Sequence, residues 1–204
     1  EDLVDAKRIE QGRLELEEEL FDLGDVVRVQ VGSFAGRSPR HVLRVERETL
    51  DVPTLTLRPT NAWNGFRAGQ HVQVGVEIAS VRHTRCFSAS SSDLARKLHG
   101  DPTFTITVRG DDAGLVSKHL ARTVEVGTVL HLSQAEGDFT LPSLLPRRIL
   151  MVSGGSGITP VMSMLRTLVD FRYEGRITFV HYARTPEETI FADELDALAE
   201  LSNV

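Results

Sequence analysis

The sequence predicts two folds in series: a six-stranded antiparallel β barrel, then an incomplete doubly wound α/β domain. Two observations carry this. From about residue 41 the apolar residues alternate with a period of two, as in strands with one buried face. From residue 147 the pattern becomes a continuous apolar run, a glycine turn and a helical period. Charge and cysteine content then narrow the class. Lys and Arg number 23 against 29 Asp and Glu, a net charge of −6, which argues against nucleic-acid binding driven by overall positive charge. A single cysteine, Cys86, excludes an internal disulfide, a four-thiolate zinc site or an iron–sulfur cluster held by these residues alone.

Along the chain, the organisation reads as an acidic arm and linker over 1–40, the barrel over 41–146 and the α/β region over 147–204. Residues 1–25 hold ten acids and three bases, with Leu3, Ile9, Leu16, Leu20 and Phe21 roughly on a helical period that Gly12 interrupts. This segment is a solvated arm packed on a neighbour or a partner-binding helix. No signal-peptide pattern is visible, and no apolar run approaches the roughly 20 residues that cross a bilayer, so a transmembrane segment is not expected. A reducing, cytoplasmic setting is the expectation.

The barrel strands are marked by Leu43 and Val45, Leu55 and Leu57, Val72, Val74 and Val76, Phe104, Ile106 and Val108, and Leu130 and Leu132. Turn residues separate them, among them Asn64-Gly65, Gly69, Gly100 and Gly127. A short helix is expected over 115–122. Beyond it, Ile149 to Val152 is apolar throughout and predicts a strand buried on both faces of a parallel sheet. A helix follows with its stripe at Val161, Met164, Leu165 and Leu168, then a second strand over 177–183 and a second helix carrying Phe191, Leu195 and Leu198. Two strands cannot make a covered parallel sheet, so the domain reads as cut short.

Three segments carry candidate chemistry. Gly155, Ser156, Gly157, Ile158, Thr159 and Pro160 lie between a buried strand and a helix, where glycines let backbone N–H groups approach a phosphate. Thr159 is expected as the N-cap, with Pro160 in the first turn. The alternative is a purely structural turn. Arg85, Cys86, Phe87 and Ser88 lie on a strand whose period places Arg85 and Phe87 on one face and Cys86 and Ser88 on the other. Arg offers a phosphate fork and Phe a stacking surface, although an ordinary strand has the same composition. Cys86 reads as a packed strand residue rather than a redox thiol. Gly114, Leu115, Val116 and Ser117 open the short helix, as a phosphate cap or a plain helix start.

The order of these segments, with Gly137-Asp-Phe-x-Leu141, Tyr182-x-Arg-Thr-x-x-Glu188 and Phe191-x-x-Glu-Leu195 between and after them, resembles the ferredoxin–NADP reductase superfamily over residues 40–200. The likeness is to reductases that feed a plant-type [2Fe–2S] ferredoxin domain, fused or separate, for oxygenases or desaturases. It implies FAD on the barrel, NAD(P)H on the second domain and hydride transfer from nicotinamide to flavin N5. By the same resemblance Arg85 pairs with the FAD pyrophosphate, Phe87 lies against the isoalloxazine, Ser88 is the catalytic residue beside N5, and Cys86 lies between them on the cofactor strand. Gly114 to Ser117 cap the pyrophosphate, His71 touches the flavin nucleotide, and Gly155 to Pro160 face the nicotinamide nucleotide. Phe87 stands where the family usually has Tyr, which keeps stacking and loses a phenolic hydrogen bond. Asp111 and Asp112 precede the pyrophosphate helix and would repel phosphate unless turned away. Arg184 favours NADPH over NADH through a 2′-phosphate, unless it is only a surface residue. No metal site is expected. Two other readings stand beside this one: a flavohaemoglobin-type reductase module, disfavoured by the short segment before the barrel, and a flavin-binding regulatory or assembly module without NAD(P)H turnover.

Overall fold

The computed structural model describes residues 39–204 apart from 96, 97, 99 and 101. The expected helix over 1–25 and most of the linker lie outside the described residues. The described residues all belong to one compact unit.

Six strands form one antiparallel sheet: β1 (Pro39–Thr49), β2 (Val52–Arg58), β3 (His71–Ile78), β4 (Val81–Ser88), β5 (Phe104–Thr107) and β6 (Val129–Leu132), in the order β4-β3-β6-β1-β2-β5. The sheet curls until its edges meet, but the seam is a single bridge, Ala89 with Ile106, beside a bond from the Ser90 amide to the Thr105 carbonyl (2.8 Å). The barrel is therefore not closed by a continuous ladder. Its filling follows the predicted alternation: Leu55, Leu57, Val72, Val74, Phe104, Ile106, Leu130 and Leu132 are fully buried. The Trp63 ring stacks on Phe104 with centroids 4.4 Å apart. Each such side chain contributes about 1.5–3 kcal/mol by leaving water.

The first strand departs from the expected phase. Val42 is the buried residue and Leu43 only half-buried, because the register against β2 slips between Val42 and Arg44. A bulge of this kind shifts every later side chain to the opposite face. Helix α1 (Leu115–Arg122) matches the expected span, burying Val116, Leu120 and Ala121.

Strands β7 (Arg148–Gly154) and β8 (Arg176–Tyr182) pair in parallel, linked by α2 (Ile158–Asp170); α3 (Ala192–Ala199) follows. The stripe Val161, Met164, Leu165 and Leu168 is buried as expected, with Ile158 and Met162 beside it. Burial of Ile149 to Val152 on both faces is not found: Leu150 is 67% and Val152 57% exposed, while Met151 is buried. Helix α2 covers one face of the pair only, so alternate residues point outward.

The two regions meet along α2. Ser163 Oγ donates to the Ser91 carbonyl (2.6 Å), and the Asp93 amide donates to Thr167 Oγ1 (3.1 Å). Arg166 donates to the Ser90 carbonyl and forks to Glu194, with Nε 2.8 Å from Oε1, while lying 4.6 Å from the Phe191 ring centroid. Gly69, at φ +97°, lies where a Cβ would stand 2.1 Å from the Phe139 carbonyl oxygen and 2.4 Å from Met164 Cε. Only glycine permits this approach.

Candidate functional site

Strand β4 and helix α1 carry the first group of residues. In the β3–β4 register, His71 faces Ser88, Gln73 faces Cys86, Val72 faces Phe87 and Val74 faces Arg85. Residues opposite one another share a face, so Arg85 and Phe87 lie on one side and His71, Cys86 and Ser88 on the other. The predicted split of the motif holds. Phe87 is half-buried against the barrel core, and Arg85 is exposed, its Nη1 donating to the Thr84 carbonyl (2.8 Å). No carboxylate pairs with Arg85 among the described residues. Cys86 is exposed rather than packed, because β4 is an edge strand with that face uncovered.

Helix α1 packs against β4. Gly114 is its N-cap and provides no side-chain cap; Ser117 Oγ turns back to donate to the Gly114 carbonyl (3.2 Å). The amides of Leu115, Val116 and Ser117 have no acceptor within the helix, as for any first turn. A guanidinium without a carboxylate partner, and the uncapped first-turn amides of a helix packed on the same strand, are donors suited to a diphosphate. Asp112 does not oppose this: it pairs with Arg122 (2.9 Å) and Lys118 (3.3 Å), and the hydrogen bond from Lys118 with the Arg122 charge holds its carboxyl below the usual range. Asp111 Oδ1 accepts the Ala113 amide (3.0 Å). His71 lies under the 136–137 turn, exchanging backbone bonds with Glu136 (3.0 and 2.9 Å) and placing Nε2 3.7 Å from the Glu136 carboxylate.

The second group lies at the carboxyl ends of β7 and β8, where Gly154 and Tyr182 are neighbours. Gly155 to Gly157 form one 3-10 turn leading into α2, with Gly155 at φ +51°. A Cβ added at Gly155 or Gly157 would meet nothing within 4 Å, so the space above this turn is open. The N-cap of α2 is Gly157, not Thr159. The 3-10 turn starts the helical winding early and leaves Thr159 inside the first turn, where its hydroxyl donates to the Ser156 carbonyl (3.1 Å).

Four further residues complete this end. Ser153 Oγ and His181 Nδ1 are 2.9 Å apart, while His181 Nε2 is buried with no hydrogen-bond partner in the structure. Burial, then the Arg109 charge, push the His181 imidazole below its ordinary pKa, so its neutral form is favoured. Glu188 Oε2 takes both Arg109 Nη2 and Arg184 Nε at 3.2 Å. Ser153 with His181 and Arg109 with Glu188 have no short-range signature, the latter two being 79 residues apart, whereas Arg184 and Glu188 are an i, i+4 pair. No group of three or more His, Cys, Asp and Glu side chains able to hold a metal ion occurs among the described residues, nor does a helix long and apolar enough to cross a membrane.

A family model for the oxidoreductase NAD-binding domain matches residues 151–203. The chain is 37% identical over 159 residues to an NADPH oxidoreductase of Mycobacterium tuberculosis, covering 78% of this chain and 41% of that one. Among solved structures it is similar to the flavohem-like FAD/NAD binding domain of a nitric oxide dioxygenase from Vibrio cholerae, with 26% identity, a TM-score of 0.71, and 81% and 70% of the two chains covered. Phthalate dioxygenase reductase, described as transferring electrons from pyridine nucleotides to [2Fe–2S], shares the fold at 24% identity and a TM-score of 0.68, with 80% and 49% covered. The chain spans less than half the length of the curated relatives it matches first.

Proposed function

The chain belongs to the ferredoxin–NADP reductase superfamily, and from that premise we propose that it is the flavin- and nucleotide-binding part of an NAD(P)H-dependent reductase. Residues 41–146 hold FAD and residues 147–204 begin the NAD(P)H site. The acceptor is an iron–sulfur ferredoxin, separate or fused, that serves an oxygenase or desaturase. The observation that carries this reading is Arg85, without a carboxylate partner among the described residues, on the strand against which a helix with an uncapped start packs.

Each residue has a stated task. Arg85 and the amides of Leu115 to Ser117 bind the pyrophosphate, the first through charge-assisted hydrogen bonds and the others through oriented N–H groups. Phe87 provides an apolar wall that keeps water from the ring face, and Ser88 with His71 offers polar contact on the opposite face of the same strand pair. Gly155 to Thr159 face the nicotinamide nucleotide, with open space above Gly155 and Gly157. Bound flavin supplies the capacity to accept two electrons together and release them singly. The chain's contribution is orientation and exclusion of water, so no acid–base pair is invoked.

A yellow preparation that bleaches on anaerobic addition of NADPH supports the reductase. A yellow preparation inert to NADPH and NADH supports a flavin-binding module without turnover, and a colourless chain that takes up no FAD sinks both. Arg85→Ala is expected to weaken FAD retention by about 1.5–3 kcal/mol, read by equilibrium dialysis. Unchanged affinity removes Arg85 from the site.

A further inference from the structure

At the carboxyl end of β8 two arginines share one carboxylate oxygen. Arg109, from the loop after β5, places Nη2 3.2 Å from Glu188 Oε2 and 3.5 Å from the Glu188 carbonyl oxygen. Arg184, two residues beyond β8, reaches the same Oε2 through Nε, also at 3.2 Å. The exposures differ in a way that matters: the Arg109 side chain is 26% exposed, Glu188 36% and Arg184 79%. Arg109 is thus spent on Glu188 from the barrel side, while Arg184 faces solvent with both Nη groups free of partners among the described residues. Thr49 to Val52 and Gly110 complete a cleft of about 320 Å³ around them. Glu187 lies at the same cleft, its carboxyl held below the usual range by a backbone hydrogen bond and the Thr185 hydroxyl, and so stays ionised.

Two ligand chemistries respond oppositely to this arrangement. A phosphomonoester needs the guanidinium charge that Glu188 already engages, and it meets like-charge repulsion from the carboxylate. A ribose hydroxyl needs no charge and can donate to a carboxylate oxygen. We infer that Glu188 is a specificity-determining residue: its carboxylate holds the anion position between Arg109 and Arg184, and so lowers the affinity for a nucleotide 2′-phosphate without lowering that for a 2′-hydroxyl. Arg184 alone would make the site strongly selective for NADPH. With Glu188 in place the chain accepts NADPH and NADH within a narrow range. This rests on reading the carboxyl ends of β7 and β8 as a pyridine-nucleotide site.

The test is calorimetric titration of the 204-residue chain with 2′,5′-ADP and with 5′-AMP, which reads binding without turnover. Glu188→Gln is expected to tighten 2′,5′-ADP about tenfold and leave 5′-AMP within about twofold, and Arg184→Ala to weaken 2′,5′-ADP about tenfold. Glu174→Gln, the same charge change before the other end of β8, is expected to alter neither by more than about twofold. If Glu188→Gln loses structure, judged by its melting temperature, Glu188→Asp takes its place: the shorter side chain withdraws the charge from Arg184 and raises the preference for 2′,5′-ADP by less. A preference that is unchanged or falls in the folded variant overturns the inference while leaving the nucleotide site intact, provided 5′-AMP still binds. Failure of the wild-type chain to bind either probe overturns both.

Discussion

In the barrel, every strand turns one face to a core where Leu55, Leu57, Phe104 and Ile106 lose all contact with water, whereas the parallel pair leaves Leu150, Val152 and Tyr182 more than half exposed. Curling six strands until the edges meet gives each apolar face a partner from the same sheet, but a flat parallel pair needs a separate layer for each face. Here α2 supplies one layer, over Met151 and Ile177, and the opposite face remains open. An apolar run therefore records that a strand is suited to burial on both sides, while its neighbours decide whether that burial occurs.

The sharpest way to break this contrast is to remove side chains from the two regions. Phe104→Ala is expected to cost about 3–5 kcal/mol in urea unfolding, since it deletes a fully buried ring and its stack on Trp63. Leu150→Ala is expected to change stability by less than about 0.5 kcal/mol. Similar losses at both positions would mean that the open face is covered in solution. Arg166→Met probes the seam between the regions, leaving Glu194 and the Ser90 carbonyl without their donor, at a cost of about 2 kcal/mol. A variant of unchanged stability would show that the seam is held by apolar packing alone.

The smallest effect concerns Glu48, on the barrel side. Burial, only partly offset by the Thr54 hydroxyl at 2.6 Å and the Arg166 charge, raises its carboxyl above the ordinary range. The folded chain thus holds this proton more tightly than the unfolded chain. The associated stability is complete below the unfolded carboxylate pKa and is lost as pH rises through the raised folded value. Glu48→Gln cannot ionise and keeps an acceptor for Thr54. Its melting temperature is expected to exceed wild type by about 1–2 °C at pH 7, with no difference at pH 4; the gain is small because a half-exposed group is screened. A variant less stable at pH 7 would reverse the assignment.

Much of the barrel was legible because alternation is local. Val72, Val74 and Val76, or Phe104 and Ile106, each declare an inward face within a few residues, and the helix at 115–122 begins where glycine allows. Leu43 was expected inward where Val42 is buried, because a bulge is set by pairing with β2, which no local period records. The same limit applies to the site. Arg85 to Ser88, Gly114 to Ser117 and Gly155 to Pro160 stand out as contiguous motifs, but Ser153 with His181, and Arg109 with Glu188, exist only as contacts between distant segments.

By itself, the sequence determined the strand and helix types, the change of period at residue 147 and the three segments whose donors suit phosphates, because these follow from side-chain spacing and backbone freedom over short stretches. The tertiary structure alone decided which apolar faces are covered, that Asp112 is neutralised by Arg122 and Lys118, and that Arg184 shares Glu188 with an arginine from the barrel. Burial and electrostatic pairing depend on distances in space, and chain folding sets those between residues that the sequence keeps far apart.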